Sequence, residues 1–110
     1  MVTVSIKDEY AEILTAFGEL QDALDLALKR YAIEQIVTKV DELRQRDAMH
    51  QAIYGQDYPT FAQRIATDET FVRHVEAQVN KLWEGDLADW EFCYKGMQDC
   101  MKKLTTILLV

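Results

Sequence analysis

Eight residues near the start of the chain, Ile6, Tyr10, Ile13, Phe17, Leu20, Leu24, Ala27 and Tyr31, follow one another in alternating steps of four and three. That spacing lays them along one stripe of an α-helix, and a strand, with its period of two, cannot produce it. The rest of the chain offers little to interrupt helices: one Pro and four Gly among 110 residues. Sheets and loop-rich folds need more turn residues than this. The sequence therefore predicts an all-α fold, a single helical-bundle domain over residues 1–110 whose best-fitting form is an antiparallel four-helix bundle.

The boundaries follow from local chemistry. Ser5 is the expected cap of the first helix, with Asp8 and Glu9 in the turn where the helix dipole favours acids. Gly18 lies off the seam and is expected to weaken the helix without breaking it. After Tyr31 the apolar register slips to Ile33, Ile36, Val37, Val40 and Leu43. Either a turn near residues 29–33 or one long helix absorbing a stutter accounts for the slip. "YGQDYP", residues 54–59, predicts a firm break, with Gly ending one helix and Pro opening the next. Thr67 is the expected cap dividing a short helix over 59–66 from its successor. Gly85 is the expected stop, and Asp86 the cap, before a last helix with its seam on Leu87, Trp90, Tyr94, Met97, Met101, Leu104 and Leu108.

Charge narrows the partners. At a formal net charge of −7 the chain is poorly suited to a polyanion, so nucleic acid is not an expected direct partner and a basic protein is. Cys93 and Cys100, seven residues apart on one helix, stand about 10 Å apart by the helical rise, too far for a disulfide between them. Two reduced thiols predict a cytoplasmic protein. The opening residues do not resemble a signal peptide, and no run of apolar residues is long enough for a membrane span.

No cofactor is expected. A two-metal helical centre needs Glu-x-x-His on two helices; Asp47 and His50 have that spacing with the shorter acid, whereas Phe71 stands three before His74. No metal site is predicted. Asp47 and His50 nevertheless fall where the second seam should stay apolar, which suits either an acid–base pair or a hydrogen-bonded polar layer. With Arg44, six residues before His50 in "RQRDAMH", they resemble in spacing the Arg…His motif of the small helical nucleases of the HEPN class. That resemblance implies a ribonuclease using Arg44 and His50. The chain departs from the pattern: the pair lies before the middle rather than near the C-terminus, and Tyr54 follows His50 by four. Six residues also place two side chains on different helix faces.

The other candidate surface is "WEGDLADWEF", residues 83–92. Trp90 belongs to the last seam, and Phe92 then points almost the opposite way. Trp83, Glu84, Asp86, Asp89, Glu91 and Phe92 are therefore read as a partner-binding corner, aromatic at its centre and acidic at its rim. Ile107, Leu109 and Val110 add a second apolar surface suited to self-association. The expected function is a non-catalytic protein-binding module for a basic effector, such as an antitoxin, with a homodimer as another form of contact. The ribonuclease and a structural bundle are the alternatives.

Overall fold

The computed structural model describes residues 2–110. It contains five helices and no strand among them: α1 (Asp8–Thr15), α2 (Leu20–Tyr54), α3 (Tyr58–Thr67), α4 (Glu69–Gln78) and α5 (Trp83–Leu108). The fold is all-α. The chain divides into two compact units, Met1–Gln35 and Ile36–Val110, with the boundary inside α2.

Four boundaries differ from the sequence expectations, and each has a local cause. The open choice at residues 29–33 resolves to continuity, since α2 runs unbroken for 35 residues, about 52 Å at the standard rise. The register slip instead falls beside the boundary between the two units, so each half of α2 has its own apolar seam. The break comes earlier, at Gly18, whose φ of 148° is a conformation that side chains disfavour. Glu19 stabilises the new start: its carboxylate accepts from the backbone N–H of Gln21 at 3.1 Å and of Asp22 at 3.0 Å. Ser5 caps nothing, because α1 begins later, with Lys7 at the N-cap and no side-chain cap bond.

The Tyr54–Pro59 break stands, with Gly55 at φ 73° and the Asp57 carboxylate accepting from Thr60 N–H. Thr67 does not cap α4. Its hydroxyl donates back to the Gln63 carbonyl at 2.8 Å, and Asp68 caps instead by accepting from Phe71 N–H at 3.1 Å. The final turn lies before Trp83, not at Gly85, which sits with Asp86 inside the first turn of α5. Asn80 makes that turn, its side-chain oxygen accepting from Leu82 N–H at 2.9 Å. The all-α expectation holds, and the division of a short helix near 59–66 from its successor makes five helices among the described residues.

The two units differ sharply in what they bury. In Ile36–Val110 an aromatic core joins Tyr54, Phe61, Phe71, Val75 and Trp90, with Tyr58, Ile65, Trp83 and Leu87 packed against it. Phe61 and Trp90 are fully enclosed, their ring centroids 5.4 Å apart, and Tyr54 stands 4.5 Å from Phe61. Each such side chain contributes about 1.5–3 kcal/mol by leaving water. A further contact, Leu43 against Gly96, needs the missing side chain: a Cβ at Gly96 would lie 2.8 Å from a Leu43 methyl. In Met1–Gln35, by contrast, no described residue is buried.

Candidate functional site

The densest polar chemistry lies inside the second unit, where α2 meets α5. On α5, Asp86, Asp89, Trp90 and Cys93 recur at steps of three, one and three, which places them on one face. On α2, Arg46, Asp47, His50 and Tyr54, at steps of one, three and four, also share a face. The pairs then form a ladder whose numbers fall on one helix as they rise on the other, the mark of antiparallel neighbours. The Tyr54 hydroxyl donates to Asp86 at 2.6 Å. His50 Nε2 meets Asp89 at 2.8 Å, and Arg46 pairs with the other Asp89 oxygen. Trp90 Nε1 donates to Asp47 at 2.7 Å. Asn80 closes the end, donating to Asp86 at 2.9 Å and to the Tyr54 oxygen at 3.3 Å.

The electrostatics follow from these contacts. The His50 hydrogen bond, then Arg46, hold the Asp89 carboxyl below the usual carboxylate range, against the opposing effect of burial. Burial, reinforced by the bond to Asp86, pushes the Tyr54 hydroxyl up to about 12. Burial also raises the Cys93 thiol, with Asp89 beside it adding in the same direction. The Asp89 bond raises Arg46 in turn. Half-buried acids satisfied by donors on the facing helix favour one register, because a one-turn slip would leave these donors and acceptors unpaired.

The same contacts close His50 off from solvent. A general base must present a free nitrogen to a substrate. His50 is 2% exposed, its ring is stacked on Trp90 at 5.6 Å, and its other nitrogen, Nδ1, is enclosed with no hydrogen-bond partner. Arg44 does not join it. Arg44 is exposed and lines a separate groove between α2 and α5 with Val40, Tyr94, Met97, Met101 and Lys102. The cation beside His50 is Arg46, which shares Asp89 with it.

The aromatic corner is split by the fold. Asp86 and Asp89 are half-buried and engaged in the ladder. Trp83 is half-buried, its Nε1 donating to Glu76 at 3.1 Å, and Phe71 is buried beneath the Arg64 guanidinium, 3.8 Å from its ring centre. Glu84 is exposed. Glu91 is half-buried and paired with Lys95. Phe92 remains 57% exposed in mid-helix. It stands in a shallow groove with Ala88 and Gly96 one turn to either side and Glu91, Lys95 and Asp99 along it. The Arg46 guanidinium lies 5.6 Å from the Phe92 ring, so the residue that pairs Asp89 inside also borders Phe92 outside.

Asp47 and His50 were visible as polar interruptions of an apolar seam. Arg46, Asn80 and Tyr54 were not, and the signal that would have found them is the Asp86–Asp89–Trp90–Cys93 spacing, which puts both acids on the face of Trp90. Among the described residues no group of three His, Cys, Asp or Glu side chains is placed to hold a metal ion, and no helix is long and apolar enough to cross a membrane. No protein-family model, no curated protein and no solved structure matches this chain.

Proposed function

We propose that the protein is a non-catalytic interaction module that binds a basic protein partner on the Phe92 face of α5. The carrying observation is Phe92 itself: a large ring more than half exposed on a helix whose other side buries Trp90 and Cys93. Ala88 and Gly96 leave a depression on either side of the ring, the shape that receives side chains of an apposed helix. Aromatic anchors of this kind dominate binding energetics. Glu91, paired with Lys95, and Asp99 line the groove, and the chain's net charge of −7 favours a basic surface and speeds its approach. Neutralisation of a basic effector, as an antitoxin performs it, is the role this surface suits, in a cytoplasmic setting that keeps both buried thiols reduced. The ribonuclease alternative draws no support from the separation of Arg44 and His50 into an exposed groove and a closed core.

The test is affinity capture from a lysate of the source cells with the wild type and Phe92→Asp, each shown folded by circular dichroism. A basic protein retained by the wild type, lost by Phe92→Asp and bound again when purified supports the proposal. Equal retention by both proteins overturns it.

A further inference from the structure

The N-terminal unit buries none of its described residues. Its apolar seam, divided at Gly18 between α1 and α2, is uncovered: Tyr10, Ile13, Phe17 and Tyr31 are all exposed, Phe17 at 81%, and so is Leu28 at the seam's flank. Ile6, Tyr10, Ile13, Leu14 and Leu24 line an open apolar depression with no polar surface in it. Units of fewer than about 40 residues seldom bury enough to fold without a metal, a disulfide or an oligomer. This one holds neither cysteine. Asp8 and Glu12 on α1, and Asp22 and Asp25 on α2, fall on the helix faces away from the seam, with Glu9 at its flank.

A second observation says what covers the seam. Residues 2–6, "VTVSI", alternate apolar and polar and are rich in the β-branched residues that strands favour. Val2 and Val4 are exposed, and among the described residues no backbone hydrogen bond is made by residues 2–6. The segment is irregular in this structure, and a β-branched stretch with its N–H and C=O groups open is free to pair with a strand. The chain supplies no strand of its own, and the segment is complementary to a second copy of itself in antiparallel pairing. A twofold axis through Val4 sets Val2 against Ile6 of the other copy and puts their side chains on one face.

We propose that the N-terminal unit is the dimerisation element of this protein. Residues 2–6 of two copies pair as an antiparallel ribbon, and the ribbon's apolar face closes over the joined α1 and α2 seams. The apolar surface available matches the demand: the exposed parts of Tyr10, Ile13, Phe17, Leu28, Tyr31 and the two valines amount to roughly 800 Å² per copy, about what each partner of a stable interface buries. The interface is independent of the Phe92 face, so either proposal can fail without the other.

The test is the mass of the full chain by light scattering from about 1 to 100 μM. The expected mass is twice the 12.8 kDa of one chain. The Ile13→Asp, Phe17→Asp double variant should raise the dissociation constant at least about 100-fold, because it sets charges in the centre of the seam. Phe92→Asp should leave the dimer intact. Because the double variant can also unfold the N-terminal helices, Val4→Cys provides a gentler arm. Oxidation should join its two copies through residue 4, while the wild type, with both cysteines buried, stays unlinked. A monomer at 100 μM, a dimer surviving the double variant, or no cross-link through Val4→Cys overturns the proposal.

Discussion

Replacing Trp90 by Phe keeps an aromatic ring at the centre of the core and removes one donor. The indole N–H reaches Asp47 at 2.7 Å, a hydrogen bond to a carboxylate, for which about 1.5–3 kcal/mol is typical. Asp47 is only half-buried and its second oxygen already accepts from Gln51 at 2.8 Å, so water and Gln51 soften the loss to about 1–2 kcal/mol. The smaller ring leaves a gap in a fully enclosed site, which adds about 1–2 kcal/mol. Trp90→Phe should therefore cost about 2–4 kcal/mol in all. Asp47→Ala strands the indole N–H in the core and should cost about 1–3 kcal/mol. If the bond is the shared term, the double variant costs less than the two together by about 1–2 kcal/mol. Urea unfolding followed by far-ultraviolet circular dichroism, at one fixed protein concentration, measures all four corners of the cycle. A coupling below about 0.5 kcal/mol would show that Trp90 acts by volume alone and that Asp47 is a surface acid.

Other consequences of the α2–α5 ladder are open to measurement. Asp89 has a folded-state pKa below its ordinary 3.8, so its contribution is complete above that value and disappears as the pH falls through the lowered one. Asp89→Asn should accordingly be less stable than the wild type at pH 6 and should flatten the loss of urea stability between pH 4 and 2; parallel acid limbs would remove Asp89 from the ladder. Tyr54, raised from 10 to about 12, stabilises fully below pH 10 and loses its contribution as the pH rises through 12. Absorbance at 295 nm should show a late-titrating tyrosine that Tyr54→Phe deletes. The Cys93 thiol, closed off and pushed up by burial, should react with a disulfide reagent more than about 10-fold more slowly in native protein than in urea. Equal rates would mean that this part of α5 is open.

Helix type and the strongest turn were legible in the sequence because they depend on neighbours in the chain. Gly55 and Pro59 act within a few residues of themselves, and the heptad-like seams need only a ruler. The misread boundaries each involve a competition that a seam cannot decide. Gly18 looked harmless while its neighbours fitted a helix, yet Glu19 offers an alternative start by capping Gln21 and Asp22. Asp68 outcompetes Thr67 because its carboxylate reaches Phe71 N–H, while the Thr67 hydroxyl is taken by Gln63. The acids near Trp90 were the harder case. Asp86 and Asp89 appear as rim charges in a linear reading, and only the facing residues Tyr54, His50 and Arg46 turn them inward. Those partners lie 32 to 43 positions away in the chain, beyond any local rule.

The claim that Phe92 is a docking anchor is tested most directly by calorimetric titration of the purified captured partner into the wild type, Phe92→Asp and Arg44→Ala. Tight binding is expected of the wild type and Arg44→Ala, weakened at higher salt because the partner is basic, with a loss of at least about 30-fold in Phe92→Asp, the size of effect expected of an anchor residue. Binding by Phe92→Asp as tight as by the wild type would contradict it.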